Sequence, residues 1–146
     1  MWLAGDVPVK RGRNESIVSA MNGCKAKLQQ KLSVMIFPEG TRTPDGELLP
    51  FRDGAFRLAI ENGAPILPIV IAGTRRAMAK HTFQFQKTRA ICRVLDPIET
   101  TGLTLADLAT LKERTRAVIL AAKERLHLEL GLGANGEPLS LASRMA

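Results

Sequence analysis

The chain has 146 residues, 45% of them apolar and 24% charged, with 21 Lys+Arg against 14 Asp+Glu for a net charge of +7. That length suits a single domain, and the composition excludes intrinsic disorder and collagen-like repeats. The longest apolar run, Ala64–Ala72, carries two prolines and falls far short of the ~18–20 residues that span a bilayer; no apolar signal-peptide core follows Met1.

In chain order, Met1–Val9 reads as short and partly extended. Ser16–Leu32 is predicted to be an amphipathic helix: Ile17, Ala20, Met21, Cys24, Leu28 and Leu32 recur at spacings of three and four. Ser33–Phe37 is a short apolar run closed by Pro38, expected as a buried strand, and residues 38–54 form a Pro/Gly/Thr/Asp-rich loop. Asp53 is expected to cap a short helix through Asn62, with Gly63 as its stop. Ile66–Ala72 is a second buried strand, in which Pro68 implies an edge, a bulge or the strand's start. Residues 73–88 form a basic loop, and Ala90–Leu95 a third strand ended by Asp96-Pro97. Thr104 and Asp107 suggest a capping box that opens a long helix stopped at Gly131 and Gly133. Its apolar face is Leu105, Leu108, Leu111, Val118, Ile119, Ala122, Leu126 and Leu130; its mixed polar face, with Glu113, Glu124 and Glu129 among the basic residues, favours packing over lying on a membrane. The last residues, 134–146, are expected to fray. Strands alternating with helices predict an α/β fold, a central mixed sheet flanked by helices.

Cys24 and Cys92 form neither a C-x-x-C pair nor a disulfide framework, so a reducing compartment and buried, inert thiols are expected. No His, Cys or carboxylate cluster has metal-ligand spacing. The positive charge lies before residue 95, where 15 Lys/Arg face 7 Asp/Glu; residues 74–93 hold six basic residues and no acid. Such a surface suits nucleic acid, phosphorylated metabolites or anionic lipid head groups, and charge alone does not choose among them.

The most informative segment is Phe37-Pro38-Glu39-Gly40-Thr41-Arg42. Gly40 permits close backbone approach, Thr41 offers a hydroxyl and Arg42 a forked cation, a combination suited to holding a phosphate. Together with Phe51, Gly54-Ala55-Phe56 and the proline-bearing run Ala64-Pro65-Ile66-Leu67-Pro68-Ile69-Val70, it resembles the glycerolipid acyltransferases over roughly residues 2–95. The family's second motif, a Gly followed six residues later by Arg, is matched by Gly5 and Arg11, with Lys10 where Asp or Asn is frequent.

The resemblance implies an acyltransferase that moves a fatty acyl group from acyl-CoA or acyl carrier protein to lysophosphatidate in phospholipid biosynthesis, without a cofactor, peripheral to the cytoplasmic face of an anionic membrane. It implies that Arg11, Glu39, Gly40, Thr41 and Arg42 bind the acceptor, and that Pro65 and Pro68 shape a wall near the acyl chain. The expected division is residues 1–100 as the C-terminal part of the acyltransferase domain, by the resemblance, with 101–133 as a helix packed on it and 134–146 as a flexible tail, by the pattern of the residues.

One departure dominates. The family's first motif is a His followed five residues later by Asp, a general base and its orienter, and no such pair occurs in this sequence. His81 is followed at that distance by Gln86 and His127 by Leu132, and both lie after the third motif, whereas the His-Asp motif precedes the second. The expectation is therefore an N-terminally truncated domain, inactive alone and exposing an apolar sheet edge where the missing segment belongs. The alternatives are a non-catalytic lipid-surface or phosphate-binding relic, and a nucleic-acid module. The latter is disfavoured by 4% aromatics with no Tyr and by the lack of any nucleic-acid-binding signature.

Overall fold

In the computed structural model of the chain, residue 7 and residues 14–41, 43, 45–74, 77, 87–133 and 136–137 are described, the side chains of 14 and 15 excepted. Helix α1 spans Asn14–Gln29, starting and ending a little before the expected Ser16–Leu32. It stops because Lys31 adopts a left-handed conformation, φ 59°. The Lys31 N–H then donates to the Leu28 carbonyl and the Leu32 N–H to the Lys27 carbonyl, which satisfies the open carbonyls of the last turn. Ala20 and Cys24 face inward, whereas Ile17 and Leu32, expected on the buried face, are exposed.

Helix α2, Asp53–Asn62, ends as expected at Gly63, whose left-handed N–H closes on Ala59 and Ile60. Asp53 is not its cap. Arg52 occupies that position without a side-chain bond, and Asp53 is the first helical residue, where a carboxylate favours the positive end of the helix dipole. Asp53 also pairs with Lys112 at 2.9 Å.

Strand β1 is Ile69–Ala72 and β2 is Ile91–Val94; they pair antiparallel with Ile69 opposite Val94 and Ala72 opposite Ile91. Pro68, lacking an N–H, stands just before β1, and its carbonyl accepts from Leu95. Ile66, between Pro65 and Pro68, forms a bridge with Ile98. The expectation of a fully buried Ile66–Ala72 strand is corrected. Val70 and Ala72 are buried, but Leu67, Ile69 and Ile71 are exposed, because among the described residues a helix packs on one face of this small sheet only.

After a 3-10 turn at Leu105–Asp107, helix α3 runs Leu108–Leu130 and is capped by left-handed Gly131. At its start the Asp107 carboxylate accepts both the Thr104 N–H and the Thr104 hydroxyl, the reciprocal half of the expected capping box. Hydrogen bonding from Thr104 holds the Asp107 carboxyl below its usual range.

α3 knits the molecule together. Near its N-terminal end Leu111 packs with Phe51, Phe56 and Ile98; farther along, Ala122 and Leu126 pack on Val70 and Ala72. Each buried Leu, Ile, Val or Phe among them contributes roughly 1.5–3 kcal/mol relative to exposure, and each Ala less. Leu105 and Val118, expected on the apolar face, are exposed, and Thr115 takes a buried place with its hydroxyl on the Leu111 carbonyl. His127, expected only as part of this helix, is buried in its last turn.

The α/β class and the long C-terminal helix are as the sequence predicts. Ser33–Phe37 differs. It has no regular secondary structure and belongs to no ladder among the described residues, and Met35 is 68% and Phe37 72% exposed. The apolar run predicts a strand with a cover, and neither the β1–β2 pair nor the helices supply one. Cys92 is likewise exposed, not buried, on the open face of β2, whereas Cys24 is buried and its thiol pKa is raised by that burial.

Candidate functional site

The motif residues lie on a loop, 38–52, that returns to its starting point. The Arg52 N–H donates to the Pro38 carbonyl at 2.8 Å and closes the neck. At the start, the Gly40 N–H donates to the Phe37 carbonyl at 3.1 Å, a tight turn that places Gly40 at φ +71°. A side chain there would be strained, and its first carbon would lie 2.7 Å from Arg52 Nε. The Arg52 side chain thus lies directly against Gly40. At the far end Phe51 is buried and stacked on Phe56, with ring centroids 6.0 Å apart. Aromatic stacking of this kind fixes the loop's return to α2.

Glu39 is the internal tie. Its Oε2 accepts the Leu49 N–H at 2.8 Å, across ten residues. Thr43 and the Glu47 N–H both bond Asp45 Oδ1, which folds the tip around Gly46, φ +85°. Gly40 and Thr41 are exposed beside half-buried Glu39, so the turn presents one backbone surface and one hydroxyl outward.

The loop is also held from outside. Arg116 donates to the Leu48 carbonyl at 3.1 Å, and Lys123 Nζ to the Gly46 carbonyl at 2.5 Å. Partial burial lowers the Lys123 pKa, while Glu39, Glu47, Asp45 and Glu124 pull it back. Negative charge from the loop and from its own helix thus acts on this half-buried cation.

Of the sequence-predicted site residues, Glu39, Gly40 and Thr41 stand together on this loop. Arg11 and Arg42 lie outside the described residues, as do His81 and most of the basic stretch and the tail. Pro65 is exposed and Pro68 buried, flanking the Ile66 bridge that leads into β1. Sequence reasoning missed Arg52, Arg116 and Lys123. A usable signal existed for the last two, since cations seven residues apart share one face of a helix. None marked Arg52. Among the described residues no group of three or more His, Cys, Asp or Glu is arranged to hold a metal, and no helix is long and apolar enough to cross a membrane.

Residues 1–72 match the acyltransferase family model. The chain is 38% identical over 120 residues to human 1-acyl-sn-glycerol-3-phosphate acyltransferase alpha, an alignment covering 82% of this chain and 42% of that protein. It is 33% identical over 104 residues to the 1-acyl-sn-glycerol-3-phosphate acyltransferase of Haemophilus influenzae, covering 70% of this chain and 42% of that one. The crystal structure of the 1-acyl-sn-glycerophosphate (LPA) acyltransferase PlsC from Thermotoga maritima superposes with a TM-score of 0.67 at 28% identity, over 73% of this chain and 44% of that one. The chain thus spans less than half the length of these relatives. The motif loop falls inside the matched family segment, and the surrounding fold agrees with that of a solved relative. The chain therefore belongs to the glycerolipid acyltransferase family.

Proposed function

We propose that this chain is the acceptor-binding part of an enzyme that moves a fatty acyl group from an acyl thioester to lysophosphatidate, in phospholipid biosynthesis. The observation that carries this reading is the closed 38–52 loop, in which Glu39 is locked inward on Leu49 while Gly40 and Thr41 face outward. A glycine turn beside a hydroxyl and the Arg52 guanidinium suits a phosphate monoester. In this reading Arg11 and Arg42 supply the phosphate's countercharge, Glu39, Gly40 and Thr41 frame it, and Pro65 and Pro68 border the acyl chain.

In the reaction, the acceptor hydroxyl attacks the thioester carbonyl, the carbon–sulfur bond breaks, and the hydroxyl proton passes through a base to the leaving thiol. The His-Asp pair that the family uses as base and orienter is absent from these 146 residues, so the base would have to come from outside them. The donor is acyl-CoA or acyl carrier protein. The basic region before residue 95 suits the anionic face of a membrane on the cytoplasmic side, with this chain peripheral to it. The uncovered apolar residues of the sheet face, Leu67, Ile71 and Val94, and exposed Met35 and Phe37 support the view that further acyltransferase chain packs on this one.

The test is a chimera in which residues 1–130 replace the matching part of the Thermotoga maritima enzyme. Acyl transfer to lysophosphatidate is expected from the chimera, weakened mainly in acceptor KM by Arg11→Ala, and no turnover from the 146-residue chain alone. Turnover by the isolated chain would overturn the assignment of the base, and an Arg11→Ala chimera with unchanged KM and kcat would remove the phosphate role. A 1–146 chain that stays strictly monomeric at high concentration would count against a missing cover.

A further inference from the structure

The family segment ends at residue 72, yet the loop that carries its motif is held by a helix that begins at residue 108. We propose that α3 is part of the acceptor site, with Lys123 and Arg116 acting as positioning residues that clamp the loop and thereby set the orientation of Glu39. The proposal rests on the acyltransferase reading of that loop.

The geometry is a short relay. Lys123 holds the Gly46 carbonyl and Arg116 the Leu48 carbonyl. The next residue, Leu49, donates its N–H to Glu39 Oε2. With 46 and 48 fixed from one side, the Leu49 N–H can point in only one direction, and the Glu39 carboxylate follows it. Glu39 is covalently joined to Gly40, so its orientation also sets the turn that faces outward.

The two cations sit seven residues apart, two turns along one face of α3, and their carbonyl partners lie two residues apart along the loop. On the same helix Lys112 pairs with Asp53 at the start of α2, anchoring the loop's far side. The acids whose charge acts on Lys123 are Glu39, Asp45 and Glu47 from the loop and Glu124 from its own helix. The ammonium therefore also offsets a concentration of negative charge behind a site that we read as receiving a dianionic phosphate. Without that cation the three loop carboxylates would oppose both each other and the ligand.

The test uses the 146-residue chain and reads backbone hydrogen exchange together with binding of a short-chain lysophosphatidate. Lys123→Met and Arg116→Met should each speed exchange of the Leu49 amide by about ten-fold, the scale of one charge-assisted hydrogen bond that is partly solvated. Protection of Val70 and Ala72 in β1 should be unchanged, which excludes general unfolding. Lys123→Arg should restore most of the Leu49 protection. Lysophosphatidate affinity should fall by about three- to ten-fold in the Met variants and recover in Lys123→Arg.

Unchanged Leu49 exchange in both Met variants overturns the clamp. Faster Leu49 exchange with unaltered lysophosphatidate affinity overturns its role in the site. If the wild-type chain binds no lysophosphatidate, the acyltransferase reading of the loop falls, and Leu49 exchange alone then decides whether the clamp exists.

Discussion

Replacing Glu39 separates the two jobs that its carboxylate could perform, tying the loop and carrying charge. Glu39→Ala removes the acceptor of a 2.8 Å hydrogen bond and leaves the partly buried Leu49 N–H without its partner. A hydrogen bond to a charged acceptor is worth about 1.5–3 kcal/mol, and water can reach part of this site, so a loss of about 1–2 kcal/mol is expected. Glu39→Gln keeps a carbonyl oxygen at nearly the same place and gives up only the charge assistance, so its loss should stay below about 1 kcal/mol. Both substitutions remove the same negative charge beside Lys123, and the difference between them isolates the hydrogen bond. Urea unfolding followed by far-ultraviolet circular dichroism measures both, with equal slopes required for the comparison. If Gln destabilises as much as Ala, the Leu49 contact does not hold the loop, and the account of Glu39 as its internal tie is wrong.

Four other outcomes follow from the same geometry. Lys31→Gly should stabilise the chain by about 0.5–1 kcal/mol in the same urea assay, because it relieves a left-handed lysine at the end of α1 at a smaller cost in unfolded-state entropy. Gly63→Ala, at φ 56° with nothing nearby, should cost only about 1 kcal/mol of backbone strain, whereas Gly73→Ala should cost about 3 kcal/mol or more, since its new carbon would lie 2.2 Å from the Arg89 carbonyl oxygen; equal midpoints for the two would contradict the packing at Gly73. A thiol reagent applied to the folded chain should modify exposed Cys92 first and Cys24 only on unfolding, with peptide mapping identifying each. Asp107 and Glu129 both have carboxyl groups held low, by hydrogen bonds from Thr104 and from Arg93 respectively. Their contribution to stability is thus complete above the usual carboxylate range and fades as pH falls through the lower folded values, and Asp107→Asn should flatten that acid limb.

Local chemistry was legible where a residue's own backbone or side chain decides the outcome. Gly63 and Gly131 stop α2 and α3 because only a residue comfortable at positive φ ends a helix that way, and both stops are read correctly from sequence. Thr104 and Asp107 find each other because they are three residues apart. The motif loop was visible for the same reason, its Gly, Pro and Thr content leaving little else to form. What was not legible depends on partners distant in sequence. Ser33–Phe37 has the pattern of a covered strand, and pattern does not say whether a cover is present. The exposure of Leu67, Ile69 and Ile71 follows from the number of helices packed on the sheet, which the strand's own residues do not encode. Arg116 and Lys123 share a helix face by their spacing, but their partners are main-chain carbonyls, which carry no side-chain signature, so the loop they hold was not legible.

The bond from Lys123 to Gly46 bridges 77 positions of sequence. On a ribosome adding about 5–20 residues per second, the motif loop would be synthesised several seconds before the lysine that holds it exists. Helix α2 and the turn at Gly40 can form from neighbouring residues during that interval, but the loop tip cannot reach its final position until α3 has been made and docked. The order of synthesis therefore makes the loop mature late, together with the cores that α3 completes, and a nascent chain interrupted between residue 52 and α3 would carry the full motif without a finished site.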